Sequence, residues 1–173
     1  MRAAPIVLAG ALALVAATAP AAAQTFAKPA PELDAMAKAM VGTWTCDSVA
    51  KVGKSEQKYT LTITWTRELG GFWLVGRSHA DVQGLKLETV SYLGYDAATK
   101  TWLQIGVDSQ GSLVSLTAKG TPDKLEFTGK AKAMGQELSP AMTMVRKGER
   151  EVVLTSSATM GGQSMVEETT CKK

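Results

Sequence analysis

Histidine is nearly absent from this chain: His79 is the only one in 173 residues. A two-histidine zinc motif is therefore excluded, a Ser–His–Asp triad would rest wholly on that one ring, and a haem barrel would have no other imidazole to offer. Cysteine is almost as scarce, with Cys46 and Cys171 alone, so neither a paired C-x-x-C nor a Cys/His metal cluster can be built. No G-x-S-x-G elbow and no phosphate-cradling glycine loop occurs. With no convergent acid, base and nucleophile, an enzyme is not expected, and no cofactor is implied.

Charge of one sign is missing as a block. Lys and Arg number 19 against 16 Asp and Glu, for a formal net charge of +3. Nucleic acid and anionic membrane both need a clustered basic face, so neither is expected as a partner. The single long uncharged run, Ile6 to Ala17, follows Arg2 and leads to Ala21-Ala22-Ala23 before Gln24. It is shorter than the roughly 20 residues of a spanning helix, and it ends in an A-x-A cleavage site, which marks residues 1–23 as a secretory signal peptide. No cysteine follows it to carry a lipid. The expectation is a periplasmic or secreted protein with no membrane span after cleavage. Loss of Arg2 brings the formal charge from +3 to +2.

Two cysteines in a chain bound for an oxidising compartment are most simply a Cys46–Cys171 disulfide; a metal site or a free reactive thiol finds no further Cys or nearby His to support it.

Along the chain, residues 24–41 read as a lead-in and a short helix. Pro31 suits a first-turn position, and Leu33, Met36, Ala37 and Met40 follow at helical spacing. From Thr43 the period becomes two. Tyr59, Leu61, Ile63 and Trp65 alternate with Thr60, Thr62, Thr64 and Thr66, the pattern of a strand with one buried face. Further strands are expected around Trp44–Ala50, Phe72–Ala80, Leu85–Leu93, Thr101–Val107, Ser112–Ala118, Lys124–Ala131, Ala141–Arg146, Glu151–Ser156 and Ser164–Cys171. Gly-rich turns separate them, including Gly70-Gly71, Lys147-Gly148 and Gly161-Gly162. Around ten hairpin-linked strands need a closed barrel or a sandwich to hide their edges. A bridge between the first and last strands favours an all-β, up-and-down antiparallel barrel over residues 42–173, since those strands pair in such a barrel.

Gly42-Thr43-Trp44, just after a helix, resembles the G-x-W signature of the lipocalin and calycin superfamily, whose Trp packs across the closed end of the barrel. A broader likeness is to the bacterial lipocalin-like domains of unknown function. It is carried by Val41-Gly42-Thr43-Trp44, Gly70-Gly71, Gly94-Tyr95-Asp96, Asp108-Ser109, and Glu168 followed by Lys172-Lys173. Where that family often has an aromatic residue in the last strand, this chain has Cys171, consistent with an added disulfide. The resemblance implies a fold and an export habit, and no catalytic residues.

The candidate ligand-binding residues are Trp44, Tyr59, Trp65, Arg67, Arg77, His79 and Tyr92. Period two puts Trp73, Val75, Arg77 and His79 on one face and Phe72, Leu74, Gly76 and Ser78 on the other, and leaves open which set points inward. With the first set inside, Arg77 and His79 form the polar end of a pocket; otherwise His79 is a solvated strand residue. Arg67 extends the face of Trp65 by one step and either ends at a rim in water or meets an acid such as Glu168 or Asp108, in which case it would anchor an anionic head group. The Asp96 and Asp108 segments read as hairpin turns. Met142, Met144 and Met165 suggest a soft Cu(I) site as an alternative to methionines that fill an apolar interior. The function expected is the binding of a small, mainly apolar molecule, with a structural or protein-interaction module of the envelope as the competing reading. Oligomeric state is not encoded in any recognisable way.

Overall fold

A computed structural model describes residues 28–173. The expected signal peptide, and the first residues of the lead-in, lie outside the described residues. One helix, α1 (Pro31–Met40), precedes eleven strands: β1 (Gly42–Val52), β2 (Ser55–Glu68), β3 (Trp73–Val82), β4 (Leu85–Asp96), β5 (Thr101–Asp108), β6 (Leu113–Thr121), β7 (Lys124–Ala133), β8 (Gln136–Leu138), β9 (Ala141–Arg146), β10 (Glu151–Met160) and β11 (Gln163–Lys172). Pro31 stands in the first turn of α1, where its missing N–H costs nothing, and Glu32 and Asp34 place acidic charge at the positive end of the helix dipole.

Every strand from β1 to β7 pairs antiparallel with its successor. β9, β10 and β11 follow in the same way, β7 pairs with β9, and β11 returns to β1. The result is a closed ten-strand antiparallel barrel. β8 is an extra piece. One edge of β7 takes β9 along Lys124–Thr128 and β8 along Ala131–Ala133, so β8 and β9 form one strand interrupted at Ser139-Pro140. Proline, having no N–H to donate, marks that break. Where β6 meets β7, Gly129 permits the close approach: a Cβ there would lie 2.2 Å from the Ser115 carbonyl oxygen.

Because directly opposed residues share a face, the register fixes what is inside. Trp65 opposes Gly76, and Ile63 opposes Ser78. The inward set of β3 is therefore Leu74, Gly76, Ser78 and Ala80, and Trp73, Val75, Arg77 and His79 face outward. The disulfide joins Cys46 of β1 to Cys171 of β11, which are register partners in the first and last strands of the barrel.

The end of the barrel nearest α1 is solid. Leu33, Met36, Ala37 and Met40 are buried on it, and they pack into one cluster with Trp44, Trp65, Leu74, Leu93, Trp102, Leu125, Phe127 and Val152. Burying a Leu or Met side chain contributes about 1.5–3 kcal/mol, against about 0–1 kcal/mol for an exposed ion pair. Apolar packing is therefore what holds the helix, and the polar contacts set its seat. These are Arg67 to Asp34, Arg67 Nε to the Gly71 carbonyl at 3.1 Å, and Tyr95 to Glu32 at 3.3 Å.

Candidate functional site

On four of the strands, side-chain size falls along the inward face from the α1 end to the far end. β4 runs Leu93, Ser91, Thr89; β5 runs Trp102, Gln104, Gly106; β7 runs Phe127, Gly129, Ala131, Ala133; β10 runs Val152, Leu154, Ser156, Ala158. On these strands large residues fill the first half of the barrel and small ones leave space in the second. The space so left is a cavity of about 410 Å³. Its wall includes Thr89 and Ser91 from β4, Gln104, Gly106 and Asp108 from β5, Val114 and Leu116 from β6, Ala131 and Ala133 from β7, Leu138, Pro140 and Met142 along the β8–β9 line, Ser156 from β10 and Glu167 from β11.

A polar chain runs behind this wall. The Tyr59 hydroxyl donates to Glu167 Oε1, Thr169 Oγ1 lies 3.5 Å from the same oxygen, and Thr169 and Ser48 share a buried hydroxyl–hydroxyl bond of 2.7 Å. Burial, then the Glu167 carboxylate as acceptor and as charge, pushes the Tyr59 phenol well above its usual range, so it is a donor at neutral pH. Asp108 Oδ1 accepts the backbone N–H groups of Gln110 and Ser112, each at 2.9 Å. Burial opposes its ionisation, but the Ser112 N–H and hydroxyl and the Gln110 N–H together outweigh burial and hold the carboxyl below its ordinary range.

Of the seven candidate residues, the structure brings only Tyr59 next to the cavity, through Glu167. Trp44 is buried in the packed end, its Nε1 donating to the Met40 carbonyl at 2.7 Å, with the Lys173 ammonium 5.2 Å from its ring centre. Trp65 lies in the same packed end, against Gly76. Arg67 sits at the α1 rim and its acidic partner is Asp34, not Glu168 or Asp108. Arg77, His79 and Tyr92 are on the outer surface. Arg77 pairs with Glu68 at 2.7 Å, the exposed His79 Nδ1 lies 3.6 Å from Glu88, and Tyr92 meets Trp73 edge-on with ring centres 6.4 Å apart. Met142 lines the cavity, Met144 is buried in the packed end, and Met165 is diagonal to Met142 across β10, beside a recess of about 100 Å³. Among the described residues no group of three His, Cys, Asp or Glu side chains converges as a metal site, and no helix is long and apolar enough to cross a membrane.

The residues that the sequence reading missed are the small ones: Ser91, Gly106, Ala131 and Ser156. Their signal was present, as the decline in inward side-chain volume along β4, β5, β7 and β10, and it becomes readable once the inward phase is known. A larger recess, about 610 Å³, lies outside the barrel between α1 and the β9–β10 turn. Lys38, Glu149, Arg150 and Lys173 in its wall are exposed, and Arg146 and Arg150 are engaged by Asp123 and by the Lys173 carbonyl. It lies on the surface outside the barrel, whereas the smaller cavity lies within the barrel, walled by residues of β4 to β11.

Two of the solved structures to which the barrel is similar show the likeness. One is Rv2717c from M. tuberculosis, at 13% identity and a TM-score of 0.62, covering 84% of this chain and 99% of that one. The other is the S-type phycobiliprotein lyase CPES from Guillardia theta, at 9% identity and a TM-score of 0.60, covering 82% and 92%. At such identities the likeness is one of fold. No curated protein matches the chain. The sequence profile described as "Protein of unknown function (DUF1579)" matches residues 28–170, and the chain belongs to that family.

Proposed function

We propose that this protein is an exported binding barrel, periplasmic or secreted, that holds a small, mainly apolar molecule in the cavity remote from α1. The observation that carries the reading is the uneven interior: one half of the barrel is filled by indoles and Leu, and in the other Gly106, Ala131, Ala133, Ser91 and Ser156, with Val114, Leu138 and Met142 beside them, leave about 410 Å³. A barrel that needed only to be stable would continue its packed core to the second end, because each unfilled volume forgoes dispersion contacts. The signal peptide and the buried disulfide support export. The likeness to a phycobiliprotein lyase supports the fold and leaves the cargo to be argued from the cavity wall.

The test is native mass spectrometry of the protein purified from its own envelope, together with titration of the neutral fluorescent probe N-phenyl-1-naphthylamine. Gly106→Leu is the blocking variant: a Cβ at Gly106 meets its neighbours only at ordinary contact distances of 3.6 Å and beyond, so the change fills the cavity without straining the backbone. Saturable probe binding, or a co-purified molecule, that Gly106→Leu removes supports the reading. A bare mass and binding indifferent to that substitution would overturn it.

The competing reading, an interaction module, draws on the outer wall. Val107 and Leu113 are register partners, 43% and 48% exposed, and Ile105 beside them is 40% exposed. Concentration-dependent association in sedimentation, lost on Val107→Lys, would favour that reading.

A further inference from the structure

Resting on the cavity as the binding site, we infer that its ligand carries a positive charge: an apolar molecule bearing an ammonium or similar cationic group. Among the described residues the cavity wall contains two carboxylates, Asp108 and Glu167, and no Lys, Arg or His. In the ring of ten strands β5 and β11 are five steps apart in either direction, so the two acids stand on opposite walls. Neither is neutralised by a protein cation. The partners of Glu167 are the Tyr59 hydroxyl and the more distant Thr169 hydroxyl, both at Oε1. Those of Asp108 are the backbone N–H groups of its own turn, at Oδ1.

These are dipoles, and they fix each carboxylate in place without cancelling its charge. The two arginines of the neighbouring strands are engaged elsewhere. Arg67 is held by Asp34 at the opposite end of the barrel, and Arg77 by Glu68 on its outer surface. An anionic head group entering the cavity would meet two negative charges and no compensation. A cationic one would find the missing counter-charge in surroundings whose dielectric is below that of water, where such pairing discriminates strongly. The apolar portion of the ligand lies against Val114, Leu116, Ala131 and Met142.

The experiment is calorimetric titration of the disulfide-intact protein with decyltrimethylammonium, decanol and decanoate, each below its aggregation concentration. Wild type, Gly106→Leu, Glu167→Gln and Asp108→Asn are compared, with circular dichroism confirming the fold of each. Both acid variants keep a side chain that can hold its hydrogen bonds, so the charge alone is tested. The expected result is at least tenfold tighter binding of the ammonium than of the carboxylate. That ratio should fall at least fivefold in Glu167→Gln or Asp108→Asn. Equal affinities, or a preference for decanoate, in binding that Gly106→Leu removes would overturn the inference and leave the binding barrel standing. A cation preference that neither acid variant moves would also overturn it, since the selectivity would then reside elsewhere. Failure of all three compounds to bind, with no effect of Gly106→Leu on any titration, would overturn both the inference and the barrel's role as a container.

Discussion

The six-membered ring of Trp65 occupies the volume that a side chain on Gly76 would need: a Cβ built at Gly76 would stand 2.9 Å from three of that ring's carbons. The two residues are cross-strand partners on the inner face of β2 and β3, and Trp65 is 9% exposed within the packed end. Gly76→Ala should therefore destabilise the protein by about 1–3 kcal/mol, the usual cost of overfilling a close-packed core. Gly94→Ala is the matched control. Its Cβ would meet Trp73 at 2.8 Å, but Trp73 lies on the outer surface and can swing toward solvent, so the loss should be smaller. Urea unfolding of the two variants ranks them, and a Gly94 variant as unstable as the Gly76 variant would contradict the argument.

The seat of α1 offers a second comparison. Arg67 and Asp34 are partly exposed, with side-chain exposures of 35% and 57%. A double-mutant cycle on the pair should return about 0.2–1 kcal/mol. Trp44→Phe removes a buried indole N–H and leaves the Met40 carbonyl without that donor, which should cost about 1–3 kcal/mol. If the cycle exceeded the Trp44 loss, the ion pair and not the packed floor would be the chief fastening of the helix.

How far these features were legible in the sequence follows from what each one depends on. The alternation of Tyr59, Leu61, Ile63 and Trp65 is local, and it identified β2 and its inner face directly. The helix stripe from Leu33 to Met40 was equally plain. Cys46 and Cys171 could be paired because they are the only two cysteines. The phase of β3 was not legible, since Trp73, Val75 and Arg77 alternate with Phe72, Leu74 and Ser78 and both sets contain large apolar residues. Only the register with β2 decides between them, and register is a property of the pair. The cavity was hidden for a related reason. Gly106, Ala131 and Ser156 sit on three different strands and mean little until the barrel brings them to one level. The break at Ser139-Pro140, by contrast, was marked in the sequence by its proline, and β8 was overlooked because three residues are too few for a period to show.

Removal of the disulfide should lower the melting temperature with little change in β circular dichroism. Cys46 and Cys171 are 125 residues apart in sequence and both are buried. In the chain-entropy model a loop of that length contributes about 4–5 kcal/mol, through restriction of the unfolded chain more than through native contacts. The β1–β11 ladder extends from Thr45 to Val52 and does not depend on the sulfurs. A Cys46→Ala, Cys171→Ala double variant should therefore keep the barrel and lose thermal stability. Collapse of the β signal at room temperature would show that the bridge is required for the fold itself.

The bond from Tyr59 to Glu167 makes a prediction about alkaline pH whose sign can be worked out. The phenol's ordinary value is 10.0, and burial and the neighbouring carboxylate raise it in the folded protein. Below pH 10 both states carry the proton and the full stabilisation is present. As pH rises past about 10 the unfolded chain begins to lose its proton while folded Tyr59 keeps it, so stability falls until the folded group also titrates. At neutral pH Tyr59→Phe should be less stable by about 1–2 kcal/mol, having lost a hydrogen bond to a carboxylate. Above pH 10 that gap should narrow, since the variant has no phenol at this position to release. Urea unfolding of both proteins across that range, read alongside the phenolate absorbance of folded wild type, measures the effect. A gap that stayed constant with pH would mean that Tyr59 titrates normally and that its contact with Glu167 does little to hold the proton.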